Sequence, residues 1–189
     1  FRTECDEIAN LPYVENFDAY STGTNEYPTC WSKINTYTSE MPYISTTHYS
    51  GVGSLYFYAG TSGSYNIAVM PPISASINVN TLSATFMYKA SNTSDMLIVG
   101  VMTDPAHVNT FVAVDTIYPE STPSDWSERT VYFNQYTGNG QYIAFKNEYF
   151  TTYAYAYIDD LSVEVMSSCP KPSQLTAVST LSDTLILSW

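Results

Sequence analysis

Tyr155-Ala156-Tyr157-Ile158-Asp159-Asp160-Leu161-Ser162-Val163-Glu164-Val165 carries the clearest alternation in this sequence of 189 residues. A period of two is the period of a β-strand, whose side chains point in turn to opposite faces. Read without interruption, it places Tyr155, Tyr157, Asp159, Leu161, Val163 and Val165 on one face and Ala156, Ile158, Asp160, Ser162 and Glu164 on the other. Asp159 therefore falls on the apolar face. A carboxylate pointing into a core must be hydrogen-bonded, paired or metal-bound, because its desolvation otherwise costs several kcal/mol.

Outward from this strand the same period recurs in residues 13–17, 54–59, 66–70, 82–89, 96–102, 110–117, 128–133 and 141–145, in runs bounded by Gly, Pro, Asn and Ser. No segment places apolar residues at helical spacing over more than a few residues. About nine strands predict an all-β fold, a two-sheet antiparallel β-sandwich. Its first domain spans residues 1–168. Ser167-Ser168-Cys169-Pro170-Lys171-Pro172 has linker composition, with two prolines that block helix and central strand alike. Beyond it, residues 175–178 and 184–189 read as two short strands separated by a turn, so residues 169–189 form a partial immunoglobulin-like β fragment.

Composition narrows the function. Charged residues make up only 13% of the chain, with Ser, Thr, Asn and Tyr filling the polar positions, the palette of extracellular β proteins. Six Lys and Arg against 18 Asp and Glu give a net charge of −12, which argues against nucleic acid and anionic membrane surfaces as partners. No stretch has the 18 or more consecutive apolar residues of a membrane span, and Phe1 follows no basic-apolar leader, so the chain is expected to be exported with any signal peptide removed. His48 and His107, the only histidines, sit in no nucleophile motif and read as loop residues. Asp159 and Asp160, as neighbours on a strand, point to opposite faces and make no glycosidase pair. Eighteen Tyr, eight Phe and three Trp exceed what the core needs. Tyr56-Phe57-Tyr58 and the stretch 149–155 put rings on both strand faces, either as amphipathic strand formers or as surfaces for stacking on sugars. Counting outward from an antiparallel pairing of the first and last strands brings residue 8 opposite residue 169, which predicts a Cys5–Cys169 disulfide.

Several segments together resemble one group of jelly-roll modules, the MAM domains and the cleaved-adhesin or "choice-of-anchor J" domains of Bacteroidetes surface proteins. They are Leu11-Pro12-Tyr13-Val14-Glu15-Asn16-Phe17-Asp18 with Tyr27-Pro28-Thr29-Cys30-Trp31, then His48-Tyr49-Ser50-Gly51-Val52-Gly53-Ser54-Leu55, Met70-Pro71-Pro72-Ile73, Leu82-Ser83-Ala84-Thr85-Phe86, Trp126, Tyr142-Ile143-Ala144-Phe145 and Ile158-Asp159-Asp160-Leu161. The tail, with Pro172, Leu175 and Leu187-Ser188-Trp189, resembles the start of a fibronectin type III domain. The likeness implies a galactose-binding or concanavalin-like sandwich that serves as a non-catalytic adhesion or carbohydrate-binding module of a secreted or cell-surface protein. Its partners would be a glycan or a host protein surface, besides adjacent domains of its own chain. A structural spacer is the alternative, and a hydrolase the third reading. The likeness also implies a structural calcium held by Asp18 and Asp159 with backbone oxygens near Thr47 and Gly51, Thr47 standing where the family often has an acid. The metal-free alternative has Asp159 accepting backbone amides and Asp18 capping a turn. The family's disulfide pattern implies Cys5–Cys30 as the alternative pairing, and the matching tryptophans Trp31 and Trp126 would be core residues.

Overall fold

The computed structural model describes residues 5–120, 122–150, 152–167, 176–181 and 184–188. It is all-β with two antiparallel sheets, interrupted by single 3-10 turns at Val79–Thr81 and Val108–Thr110. The strands are β1 (Tyr13–Glu15), β2 (Ser32–Asn35), β3 (Tyr43–Ser45), β4 (Ser54–Ala59), β5 (Tyr65–Val69), β6 (Leu82–Ala90), β7 (Leu97–Met102), β8 (Val112–Ile117), β9 (Ser127–Tyr132), β10 (Tyr142–Glu148) and β11 (Ala154–Val165), followed by β12 (Thr176–Leu181) and β13 (Thr184–Ser188). One sheet runs β3-β4-β11-β6-β9 with β1 added alongside β11, and the other runs β2-β5-β10-β7-β8. β12 and β13 pair with each other as an antiparallel hairpin. The boundary at residues 168–169, Cys169 and Trp189 lie outside the described residues.

β2 and β3, which the sequence pattern does not announce, are four- and three-residue strands at the sheet edges. Their composition, Ser-Lys-Ile-Asn and Tyr-Ile-Ser, offers too few alternations to read. The core lies between the sheets. Phe57, Phe86, Ile158, Leu161 and Val163 face Ala68, Val99, Val101, Ile143 and Phe145, all fully or almost fully buried. Trp31 closes one end, stacked on Phe145 at 6.2 Å and edge-on to Phe17 at 5.9 Å, with its indole N–H donating to the Tyr13 hydroxyl at 3.0 Å. Its partner by expectation, Trp126, is not core. It lies half-exposed on the outer face of the six-stranded sheet, beside Tyr49 and Tyr157.

β11 also departs from the uninterrupted alternation. Its register against β6 shifts between Asp159 and Ser162, and Asp160 takes φ 47°. A bulge places two residues where the partner strand has one, so the faces exchange beyond it. Ala154, Ala156 and Ile158 point inward before the bulge, and Leu161 and Val163 after it. Tyr155 and Tyr157 are therefore on the outer face, opposite to Leu161 and Val163.

The disulfide joins Cys5 to Cys30, with Cα atoms 5.4 Å apart, and corrects the Cys5–Cys169 expectation. Pairing of Tyr13 with Val163 is within one residue of the counted register. The chain before Pro12 does not continue along β11, however. The Ile8 N–H donates to the Pro72 carbonyl, and the Ile8 carbonyl accepts from Ser74, which carries the segment to the other side. We expect a non-reducing digest to yield the Cys5 and Cys30 peptides linked. Replacing both by Ala should cost about 3 kcal/mol in chemical denaturation, because the bridge closes a 25-residue loop.

Candidate functional site

The two aspartates of the expected calcium pair meet on one loop. Asp159, fully buried, accepts at Oδ2 from the N–H groups of Tyr49 (2.7 Å) and Ser50 (3.2 Å), and at Oδ1 from its own neighbour Asp160 (2.8 Å). Asp18 Oδ1 accepts from the N–H groups of Val52 (2.6 Å) and Gly53 (3.3 Å), while Oδ2 accepts from the Asn16 amide (3.1 Å). Loop 49–53 is thus gripped at its start from β11 and at its end from the turn after β1. Gly51, between the grips, has φ 62° and lies so close to Asp18 that a Cβ would stand 1.9 Å from its carboxylate. Only glycine fits there. Ser50 also donates its hydroxyl to Asp160 at 2.8 Å. The bulge thus brings both carboxylates of the Asp159-Asp160 pair onto Ser50 instead of separating them across the sheet.

A calcium ion asks for six to eight oxygen ligands with lone pairs directed at it. Here the hydrogens of five backbone amides point at the two carboxylates, an arrangement that satisfies an anion and opposes a cation. Among the described residues no three acidic, histidine or cysteine side chains gather where a metal would sit. The Thr47 carbonyl is taken by the Ser54 hydroxyl. These donors do not fit calcium; they fit two carboxylates tying down a loop. Burial pushes the Asp159 carboxyl above its ordinary range, and the amides of Tyr49, Ser50 and Asp160 pull it only part of the way back. Both histidines lie in loops. His48 Nδ1 meets the Thr46 carbonyl at 2.8 Å, and His107 Nδ1 meets Asp104 at 2.9 Å.

Two outer faces carry the remaining chemistry. On the five-stranded sheet, Ile34, Ile67 and Lys146 form one cross-strand row, Val69, Ala144 and Gly100 the next, and Tyr142 faces Met102. Ile67, Val69, Met102 and Ala144 form an apolar cluster separate from the main core, roofed by Ile34, Tyr65, Phe111 and Tyr142. Phe111 lies on Gly100, whose missing side chain makes the room: a Cβ there would stand 2.6 Å from the ring. Lys146 Nζ sits 5.4 Å from the centre of Tyr65 and 6.0 Å from that of Phe111, paired with Glu148 at 2.5 Å. None of these residues stands out in the sequence; the interruption of β7 by Gly100 is the one trace. On the six-stranded sheet the outward residues are Tyr43, Tyr56, Tyr58, Tyr155 and Tyr157, joined by Trp126 and Tyr49. Phe57, between Tyr56 and Tyr58, points into the core.

The two-sheet jelly roll thus has loop 49–53 tied down by two carboxylates and rings on both outer faces. No protein-family model matches the sequence, and no curated protein does. Solved structures show the same fold. The K2 cleaved adhesin domain of Lys-gingipain superposes with a TM-score of 0.65 at 16% identity, over 82% of this chain and 100% of that one. The K1 cleaved adhesin domain of Lys-gingipain from Porphyromonas gingivalis gives 0.60 at 16% identity, over 84% and 100%. A family 11 carbohydrate-binding module of a Clostridium thermocellum cellulosomal cellulase gives 0.51 at 12% identity, over 83% and 97%.

Truncation of Asp159 to Ala leaves three part-buried N–H groups without their acceptor and should lower stability by about 2–4 kcal/mol, with proteolytic nicking moving to loop 49–53. A second expectation concerns alkali. Burial pushes the phenols of Tyr43, Tyr56, Tyr58 and Tyr157 above 10, and that of Tyr13 up to about 12. The folded state then binds protons that the unfolded chain has released, so stability is full below pH 10 and falls as pH rises above it. Absorbance at 295 nm should show a group of phenols ionising late, together with unfolding.

Proposed function

We propose that the chain is a non-catalytic adhesion or carbohydrate-binding module of an exported, multidomain protein, with the β12–β13 hairpin opening a fibronectin type III domain. The observation that carries this reading is the outer face of the five-stranded sheet. There a set of rings surrounds an ion pair, Lys146 with Glu148, on a sheet surface that the main core does not use. Rings offer contact to the C–H faces of a sugar, and the ion pair offers a donor and an acceptor to its hydroxyls. The fold it shares with adhesin domains and with a carbohydrate-binding module supports the reading. Fully buried Asp159 has its acceptors taken by backbone amides, so it serves neither as acid nor as nucleophile. Loop 49–53 is held by these amide hydrogen bonds to Asp159 and Asp18.

Two measurements test this. On a glycan array followed by calorimetry, Phe111→Ala and Tyr142→Ala should weaken binding by about tenfold or more each while the melting temperature stays within a few degrees. An array with no binder, or variants that bind like the parent, would remove this face as the site. Calcium at millimolar concentration should leave the melting temperature unchanged. A rise that a chelator reverses would restore the ion to Asp18 and Asp159.

A further inference from the structure

The outer face of the six-stranded sheet is a second aromatic surface, built by register. Tyr43 pairs with Tyr56, Tyr56 with Tyr157 and Tyr157 with Lys89, and Trp126 continues the row with the Lys89 ammonium 5.9 Å from its ring centre. Tyr58 and Tyr155 pair in the neighbouring row. Ring centres are 4.9 Å apart for Tyr43 and Tyr56, 4.8 Å for Tyr56 and Tyr157, 5.0 Å for Tyr58 and Tyr155, and 6.3 Å for Tyr157 and Trp126. Tyr49, 52% exposed at the start of the loop that Asp159 holds, packs on Trp126 at 6.0 Å. The rings brace one another so closely that Tyr56 in the middle is only 8% exposed.

We propose that this face is a ligand site for a neutral glycan chain lying across the strands, separate from the ring-framed ion pair on the other sheet. Both rows offer ring edges with hydroxyl tips. Burial raises the phenols of Tyr43, Tyr58 and Tyr157, so each of these is neutral at physiological pH and both donates and accepts. That is the complement of a pyranose, which presents C–H faces rimmed by hydroxyls. Charge removes the other candidates. The chain carries −12, which repels polyanions and disfavours a second copy of itself, and Lys89 is the one cation in the rows. The proposal shares a ligand class with the module reading and none of its residues, so each can fail alone.

The test is native affinity electrophoresis of the full chain in gels containing galactomannan, arabinoxylan or mixed-linkage β-glucan, with heparin and poly-L-proline gels beside them. At least one neutral polysaccharide should retard the protein. Tyr49→Ala, at an exposed position, should weaken that retardation about threefold, and Trp126→Ala with Tyr157→Ala about tenfold or more. Melting curves identify any variant that fails to fold, and the exposed Tyr49 variant remains informative if the double variant does. The proposal is overturned if no neutral polysaccharide retards the parent. Retardation that Phe111→Ala abolishes and Tyr49→Ala leaves untouched overturns it as well, and then the module reading stands without this face. Tyr49-dependent retardation by poly-L-proline or heparin alone would make the face a peptide or polyanion surface.

Discussion

The buried carboxylate of Asp159 is the constraint around which the molecule is arranged. It lies, fully buried, at a bulge in the longest strand of the sandwich, and its Oδ2 is met by two N–H groups from a loop more than a hundred residues earlier in the chain. An uncompensated buried carboxylate is costly, so the loop cannot move away without stranding it. Loop and strand therefore fix one another. From that tie follow the position of Tyr49 on Trp126, the grip of Asp18 on the other end of the loop, and the requirement for glycine at position 51.

The bulge has a second effect. By shifting β11 by one residue it turns Tyr155 and Tyr157 outward while keeping Ile158, Leu161 and Val163 inward. A regular strand would bury the tyrosines, or else expose Leu161 and Val163. The aromatic face of the six-stranded sheet and the apolar core thus coexist on one strand because the strand changes phase between them. The other sheet achieves a similar separation by different means. There, omission of a side chain at Gly100 lets Phe111 fold over the sheet surface.

Strand existence was legible in the sequence because the alternation is strong in long runs such as residues 82–89. It failed for β2 and β3, where three or four residues at a sheet edge give no period to detect. The Asp18–Asp159 pair was legible as a place where something holds two distant segments. Whether an ion or a set of amides does so depends on the direction of backbone N–H groups, which composition does not encode. The disulfide failed for a related reason. Counting register assumes a straight strand, and the segment before Pro12 leaves β11 to pair beside Ile73. The Lys146 site escaped notice because its rings come from β5, β10 and the turn before β8, each contributing one ordinary residue.

The antiparallel pairing of β1 with the second half of β11 has an architectural outcome. Tyr13 lies opposite Val163, so the chain enters the first strand at the pole where it leaves the last one. Domains joined before and after this module would attach side by side at that pole, as on a stalk. The opposite pole, where Phe150 and Tyr153 are 62% and 55% exposed, would project freely. Such a module would hang as a pendant from its polypeptide instead of lengthening it.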